Sequence, residues 1–293
     1  MEYLMRPELE DTYKVLKLQN CILSIANYLN NFCDKHLINY YLMGGSALGA
    51  VRHNGFIPWD DDLDVFMRPD EYEHFREVFQ KEGDKEHYYL QEWGESNGMV
   101  TFAKLRLNQS MLIEKDLVDL DVHQGVYIDI FVLHTCPDNK IKRLYQYVWA
   151  KYLVTKGAAN RHYHRGGIKG VLVGFCRLLP KRFLVNFALK QVYRYRYNKS
   201  EHFCHFMGRA VLKNGLYKRS YFERVEKVPF ETIHLSVPSG VEAYLADRWG
   251  DYMKIPPFEA TLKYHHSWKW SDSESFPGYK ENADYKDEKY MLA

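Results

Sequence analysis

Four aspartates within five residues, followed directly by apolar residues, constrain the fold of this chain most. The apolar residues predict a strand over 63–66, and alternate side chains of an extended segment share one face. Asp60, Asp62 and Asp64 are therefore expected to project together, with Asp61 on the opposite face. Such a row of like charges repels itself unless a cation lies against it. The segment predicts a carboxylate site, and the alternative interpretation is a solvated acidic turn.

The segment just before this row has the pattern of a phosphate site. A short apolar strand over 40–43 leads into Gly44, Gly45 and Ser46. Ser46 is the expected N-cap of a helix that starts at Ala47. A strand, a glycine turn and a helix N-terminus form an arrangement that receives phosphate groups.

A further carboxylate, Asp129, interrupts the most apolar predicted strand, over 125–133. A carboxylate in such a strand needs a partner, because burial of an isolated charge is costly. Asp129 is expected either to complete the carboxylate site from a neighbouring strand or to be a structural buried acid. Proteins usually hold Mg²⁺ with one or two carboxylates together with substrate phosphates, so the pattern favours a magnesium site.

Two basic residues, Lys104 and Arg106, share one face of another predicted strand. We expect them to contact phosphate, and the alternative is a solvated basic face. The remaining predicted elements are helices over 9–36 and 69–81 and three strands that extend the sheet, over 88–93, 99–107 and 111–114.

The charge is divided unevenly along the chain. Residues 139–200 contain 15 Lys and Arg and no Asp or Glu, whereas the 293-residue chain has a formal net charge of +2, so the remainder is acidic. This division indicates cation binding in the acidic part and an anionic partner for the basic part. The predicted organisation is a catalytic core with an N-terminal helix over 1–138, a basic helical region and a C-terminal segment that closes the active site over 139–270, and a loose polar tail over 271–293.

The sequence also predicts where the protein works. Residues 1–11 contain four acids and no apolar stretch, and no run of about 18 apolar residues occurs in the chain. The five cysteines are odd in number and widely spaced, so we expect reduced thiols and a cytoplasmic protein. From Ile168 to Tyr197 cations alternate with apolar residues, as in a pair of interfacial helices broken at Pro180. We therefore expect the basic segment from Lys140 to Lys199 to contact the anionic inner face of the membrane. The alternative for this segment is an ordinary helical subdomain.

Three of these elements together resemble the nucleotidyltransferase fold superfamily: Gly45-Ser46, Asp62-Leu63-Asp64-Val65 and Asp129. The longer segment over 43–65 is similar to the signature of one branch, the LicD family of phosphocholine transferases, which are relatives of the fukutin group. The 15 residues between Ser46 and Asp62 exceed the usual gap in the superfamily but suit this branch. Further segments that resemble the family are 104–106, 127–131 and 248–257, where Trp249 replaces the commoner Tyr.

The resemblance implies an α+β fold in which helices flank a nucleotidyltransferase-like mixed β-sheet core. It also implies transfer of a phosphoryl-alcohol group, typically phosphocholine from CDP-choline, onto a hydroxyl of a cell-surface glycan or its lipid-linked precursor, with release of CMP. Other CDP-alcohols present the same diphosphate, so the head group stays open. The implied cofactor is Mg²⁺, with Mn²⁺ as the alternative. The implied roles are Asp62 and Asp64 as metal ligands, Asp129 as metal ligand or base, and Gly45, Ser46, Lys104 and Arg106 as contacts to the donor phosphates.

Some residues are weaker candidates for the same site. Trp59, Trp93 and Tyr127 could surround a trimethylammonium group by cation–π attraction, although aromatic residues near a core more often serve packing. The remaining candidates are Asp60 beside the metal ligands, Asp251 as a catalytic residue or a turn cap, and His266 in the acceptor cleft.

A second class of function is a binding protein, in which an inactive core carries a basic, aromatic surface for nucleic acid or anionic lipid. Residues 193–197 alternate Tyr and Arg, as in contacts to single-stranded nucleic acid. A core that had lost its activity would be expected to lose its carboxylates, and Asp62, Asp64 and Asp129 are all present. We therefore expect an enzyme and no nucleic-acid partner.

Overall fold

A mixed β-sheet forms the centre of the computed structural model, which describes residues 11–92, 101–114, 122–160, 174, 181–208, 210–261 and 267–275. The strands are β1 Tyr41–Leu42, β2 Asp64–Met67, β3 Tyr88–Gln91, β4 Ala103–Leu107, β5 Met111–Glu114, β6 Tyr127–Val132, β7 His134–Cys136, β8 His202–Cys204, β9 Leu216–Lys218, β10 Val225–Phe230, β11 Ile233–Pro238 and β12 Ser267–Ser271. The helices are α1 Leu16–Lys35, α2 Gly44–His53, α3 Pro69–Glu82, α4 Lys140–Asn160, α5 Lys181–Tyr193, α6 Val241–Trp249 and α7 Phe258–Thr261. A 3₁₀ helix spans Arg219–Phe222.

The central sheet has the order β1-β2-β6-β4-β3. β2 and β6 run parallel, and the other neighbouring strands run antiparallel. Helices accompany a mixed sheet, so the predicted α+β class is confirmed. Smaller sheets are formed by β7-β8-β9, by β10-β11 and by β12-β5.

The helix α1 covers part of the central sheet and packs against β4 and β6. Its residues Leu18, Ile22, Ile25 and Leu29 repeat at helical spacing and are at most 1% exposed. Burial of each such side chain contributes about 1.5–3 kcal/mol to folding. The predicted amphipathic helix is therefore a structural support for the sheet.

The start of α1 was predicted too early. Lys14 has a φ of +58°, a left-handed conformation that no helical residue adopts, so the helix begins only at Leu16. The Asp11 carboxylate accepts hydrogen bonds from the backbone N–H groups of Val15 (2.9 Å) and Leu16 (3.2 Å). Residues 1–10 lie outside the described part of the chain.

The strands β3 and β4 extend the central sheet as predicted, but β5 does not. β4 already lies between β3 and β6, so neither of its edges is free for another strand. β5 pairs instead with β12, and this pairing sets Glu114 opposite Ser267. The prediction that all three strands join one sheet was wrong for β5.

The described part of residues 139–200 is mainly helical, as predicted for the basic segment, whereas strands β8 to β11 follow from His202 to Pro238. α4 and α5 pack through a second apolar cluster that includes Ala150, Leu153, Val185, Ala188 and Val192. Part of the segment's apolar content therefore forms a core of its own.

Four of the five cysteines lie in the described residues, and all four are free thiols in buried positions, as predicted: Cys21, Cys33, Cys136 and Cys204. Within the described segments, no helix has both the length and the hydropathy that crossing a bilayer requires. The predicted polar tail lies outside the described residues from position 276 onward.

Two buried histidines, His134 and His205, make the stability depend on pH. Both are at most 5% exposed, and none of their ring nitrogens has a hydrogen-bond partner among the described residues. Burial lowers the pKa of each imidazole from 6.5 to about 3. The unfolded chain therefore binds protons that the folded chain excludes. We expect each histidine to lower the free energy of unfolding by about 1.4 kcal/mol per pH unit as the pH falls from about 6 to about 4.

The substitution His205→Phe tests this pH dependence. The rings of Phe66 and Phe131 lie 5.2 and 4.7 Å from the His205 ring, so an uncharged aromatic ring suits the position. Urea unfolding at several pH values should give a slope that is smaller by about 1.4 kcal/mol per pH unit. An unchanged slope would show that the imidazole is not buried in its neutral form.

Candidate active site

Asp64 and Asp129 lie side by side near the middle of the central sheet. Asp64 is the first residue of β2, and the parallel register of β2 and β6 sets it opposite Asp129. The backbone N–H of Asp129 donates to the carbonyl oxygen of Leu63 at 3.0 Å. Residues opposite one another in a sheet share a face, so the fold brings these two carboxylates together.

The residues before β2 keep the alternation that the sequence predicted, although the strand starts at Asp64 rather than Leu63. Asp60 and Asp62 are half-buried like Asp64, while Asp61 and Leu63 are buried. The acidic segment is therefore packed against the protein, and the alternative of a solvated acidic turn was wrong.

The carboxylates affect one another electrostatically. Burial, and then the charges of Asp62, Asp129 and Asp60, raises the pKa of Asp64 well above its usual value, against the lowering effect of Lys104. Burial also raises the pKa of Asp129 to about 6, and the Lys104 ammonium opposes this increase. A cation against these acids would favour their ionised forms, so the charge and the oxygen ligands suit a divalent metal ion.

Binding of a metal ion stays a prediction. Among the His, Cys, Asp and Glu side chains of the described segments, no group of three or more has the arrangement needed to hold a metal ion. The repulsion among the carboxylates is the observation that supports the ion.

Lys104 is the cation that the fold itself places among these acids. Its side chain is 2% exposed, and its Nζ lies 2.9 Å from Asp129 Oδ1 and 3.2 Å from Glu114 Oε1. The same Nζ lies 3.2 Å from the centroid of the Tyr127 ring. Lys104 therefore neutralises the carboxylates of Asp129 and Glu114, and the alternative of a solvated basic face was wrong for it.

Glu114 is a site residue that the sequence did not reveal. It accepts hydrogen bonds from the Tyr127 hydroxyl at 3.0 Å and from Lys104 Nζ at 3.2 Å. Since Glu114 lies on β5, outside the central sheet, no sequence pattern linked it to the aspartates. It shares the Lys104 ammonium with Asp129 and thereby fixes the position of that cation.

Arg106 is also buried, at 1% exposure. Its Nε donates to Gln91 Oε1 at 2.7 Å, and its Nη1 donates to the carbonyl oxygen of Gly125 at 2.8 Å. These bonds connect β4 to β3 and to the segment before β6. The solvated basic face is wrong for Arg106 too, and its contact to phosphate stays a prediction.

The glycine turn at Gly44 and Gly45 packs closely against the acidic segment. Gly44 has a φ of +56°, which favours glycine, and its backbone N–H donates to the hydroxyl of Tyr244 at 3.0 Å. A Cβ atom on Gly45 would lie 2.7 Å from Asp60 Oδ2. Glycine at position 45 is therefore what allows Asp60 to approach the N-terminus of α2. Tyr244 lies on α6, a helix that the sequence patterns did not predict.

Ser46 does not cap the helix, which corrects the prediction. α2 begins at Gly44, with Met43 at the N-cap position, so Ser46 lies within the first turn. Its Oγ accepts a hydrogen bond from the backbone N–H of Asp64 at 2.8 Å. Ser46 thus connects the first turn of α2 to the start of β2. Phosphate contact by Gly45 and Ser46 stays a prediction.

The weaker candidates occupy different environments. Trp59 is 8% exposed and packs in the core, and one face of Tyr127 is occupied by Lys104 Nζ rather than open to a trimethylammonium group. Asp251 is exposed and follows Gly250 after the end of α6. Two further candidates lie outside the described residues, Trp93 and His266.

Comparison with known proteins assigns this arrangement to a family. A model described as the LicD/FKTN/FKRP nucleotidyltransferase domain matches residues 37–156. Residues 37–156 form a LicD-family domain. The LicD domain includes the glycine turn, β2, β4 and β6, so it contains Asp62, Asp64 and Asp129. The resemblance found in the sequence is confirmed.

Proteins of known activity and one uncharacterised protein are similar in sequence to parts of this chain. The lipopolysaccharide cholinephosphotransferase LicD of Haemophilus influenzae is 28% identical over 255 residues, which cover 83% of this chain and 92% of that protein. The human ribitol 5-phosphate transferase FKRP is 45% identical over 40 residues, 14% of this chain and 8% of FKRP. An uncharacterised protein of Rickettsia typhi is 46% identical over 44 residues, 15% of this chain and 14% of that protein. The likeness to the Haemophilus protein extends beyond the LicD domain.

The position of Asp129 in the LicD domain leads to a prediction for Asp129→Asn. The amide keeps the shape of the carboxylate, Lys104 keeps its ion pair with Glu114, and Asp64 loses one repelling neighbour. We expect a fall in turnover of at least about 10²-fold, with a melting temperature equal to or above that of the wild type. A large fall in melting temperature with turnover preserved would instead make Asp129 a purely structural residue. Turnover and thermal unfolding, measured on one preparation, distinguish the two outcomes.

Proposed function

We propose that the chain transfers phosphocholine from CDP-choline to a hydroxyl of a cell-surface glycan or of its lipid-linked precursor, with Mg²⁺ as cofactor and CMP as the leaving product. One observation carries the proposal: the paired carboxylates of β2 and β6 lie within a LicD-family domain. The lipopolysaccharide cholinephosphotransferase that aligns with 83% of the chain supports the choice of phosphocholine and of a glycan acceptor. We also propose that the reaction takes place on the cytoplasmic side of the membrane, which agrees with the use of a nucleotide-linked donor.

The proposed reaction is a single displacement at phosphorus. The acceptor oxygen forms a bond to the phosphorus that carries choline, the bond from that phosphorus to the bridging oxygen breaks, and CMP leaves with the bonding electrons. The acceptor hydroxyl gives up one proton. Such a reaction asks the protein mainly for positioning and for neutralisation of phosphate charge.

The residues of the site divide this work in the proposed mechanism. Asp62 and Asp64 would hold Mg²⁺, which supplies positive charge to the phosphate oxygens. Asp129 either shares the ion or accepts the proton of the acceptor hydroxyl, and Lys104 holds its carboxylate in place through the 2.9 Å ion pair. Gly45 and Ser46 present the first turn of α2 to the donor phosphates.

A thermal unfolding screen of CDP-alcohols tests the donor. Because a ligand that binds only the folded state raises its stability, CDP-choline at about 100 times its Kd should add about 2.7 kcal/mol. We expect the increase in melting temperature with CDP-choline and Mg²⁺ to exceed that with CDP-ethanolamine, CDP-glycerol, CDP-ribitol or CMP. A greater increase in melting temperature with another CDP-alcohol would show that the protein prefers a head group other than choline. No increase with any of them would contradict the proposed donor class.

A further inference from the structure

The helix α4 exposes an apolar stripe. Ile141, Leu144, Tyr145 and Val148 follow one another at the spacing of a single helix face, and they are 80%, 51%, 39% and 54% exposed. Side chains with this degree of exposure are not part of the apolar cluster between α4 and α5. The α4 members of that cluster, Ala150 and Leu153, lie on the other side of the helix. Within the described part of the chain, the stripe is therefore an exposed apolar face.

The helix α5 continues this apolar surface. Its residues Val185, Ala188 and Val192 are buried against α4, whereas Phe183 and Phe187 are 76% and 37% exposed. The basic segment therefore has two apolar faces, one internal and one external. The alternative of a subdomain whose apolar residues only form its own core explains just the internal face.

The exposed faces of the two helices are joined through Trp149. Its ring lies 6.1 Å from the ring of Tyr145 on α4 and 4.9 Å from the ring of Phe187 on α5. We call the surface formed by Ile141, Leu144, Tyr145, Val148, Phe183 and Phe187 the α4–α5 surface. The ring contacts of Trp149 connect its α4 side to its α5 side.

Exposed cations lie beside the α4–α5 surface. Lys140 and Lys142 are exposed and, at about 100° per residue, project to either side of Ile141. Lys190 is exposed on α5 one turn beyond Phe187, and Arg194 is exposed just after the helix. No Asp or Glu occurs in residues 139–200, so the surroundings carry positive charge without compensation from this segment.

We propose that the α4–α5 surface docks the protein on an anionic lipid bilayer. The aliphatic and phenylalanine side chains enter the interfacial region, and the surrounding lysines and arginines contact the anionic head groups. A second copy of the chain fits less well, because a two-fold contact through this surface would bring the cations of one copy close to the same cations of the other. Nucleic acid would leave exposed aliphatic residues such as Ile141 and Val148 without an apolar partner.

Vesicle sedimentation tests the proposal without depending on the transferase activity. The full chain is mixed with vesicles of phosphatidylcholine containing about one third phosphatidylglycerol, and with pure phosphatidylcholine vesicles. We expect sedimentation with the anionic vesicles at low salt, a decrease of about tenfold or more in the partition coefficient at high salt, and little sedimentation with the neutral vesicles.

Substitutions within the surface identify the contact. Ile141→Ser and Phe183→Ser should each lower the partition coefficient for anionic vesicles by about tenfold. Leu37→Ser removes an apolar side chain that is 87% exposed outside α4 and α5, so it is the matched control and should sediment like the wild type. Thermal unfolding of each variant checks that the fold is retained.

Three outcomes would overturn the proposal. The first is a wild-type chain that stays in the supernatant with anionic vesicles at low salt. The second is equal sedimentation of Ile141→Ser, Phe183→Ser and the wild type. The third is a wild-type dimer in analytical ultracentrifugation that Phe183→Ser dissociates, without any binding to vesicles, which would assign the surface to a second copy.

Discussion

Replacement of Asp62 or Asp64 by asparagine is expected to lower turnover by about 10³-fold, which corresponds to about 4 kcal/mol of transition-state stabilisation. Each change removes a proposed metal ligand. Each also removes one charge from a cluster in which burial and the neighbouring aspartates raise the pKa of Asp64. The melting temperature should therefore stay the same or rise, because the repulsion within the cluster decreases.

The test measures CMP release and thermal unfolding for both variants at saturating Mg²⁺. Asp70→Asn, at an exposed acid in the first turn of α3, is the matched control and should keep wild-type activity. Retention of a tenth of the wild-type turnover by Asp64→Asn would count decisively against this site. A large loss of stability would mean that the acids support the fold rather than the reaction.

Of the substitutions predicted for this chain, Lys104→Met should lower the free energy of unfolding most. Its ammonium lies 2.9 Å from Asp129 and 3.2 Å from Glu114, and its removal leaves these carboxylates without their common cation. Loss of one partner of a buried ion pair typically costs about 3–5 kcal/mol. Because Glu114 is 22% exposed and keeps some contact with water, we expect about 3 kcal/mol at neutral pH.

Urea unfolding measures this effect, and a double substitution identifies its cause. Lys81→Met, at an exposed lysine on α3, should change the free energy of unfolding by less than about 0.5 kcal/mol. Addition of Asp129→Asn to Lys104→Met should recover part of the lost stability, since it removes one of the uncompensated charges. If Asp129→Asn changes the free energy of unfolding equally in the wild type and in Lys104→Met, Lys104 stabilises the fold by packing alone.

The sequence predicted the elements that follow simple periodic patterns. The apolar positions of α1, the strands β2 and β6 and the helix that begins at Pro69 were all found, because each buries a continuous stripe or face. The alternation of Asp60, Asp62 and Asp64 was also predictable, since it depends only on extended backbone geometry.

Other features depended on the tertiary fold. Glu114 is on a strand that pairs with β12, more than 150 residues later in the chain, so its ion pair with Lys104 has no local signal. The hydroxyl of Tyr244 reaches Gly44 from α6. The burial of Lys104 and Arg106 was missed for a related reason, because a charged residue on a strand is usually exposed unless a distant partner neutralises it.

The proposed function requires that the carboxylate cluster supports transfer of a phosphoryl-alcohol group from a CDP-alcohol. The most direct test is CMP release from CDP-choline by the purified chain in the presence of a glycan acceptor such as lipopolysaccharide, with Mg²⁺ or with EDTA, and with Asp64→Asn in parallel. We expect CMP release that requires Mg²⁺ and falls by about 10³-fold in Asp64→Asn. Absence of CMP release from every CDP-alcohol tested, or equal release by Asp64→Asn and the wild type, would contradict it.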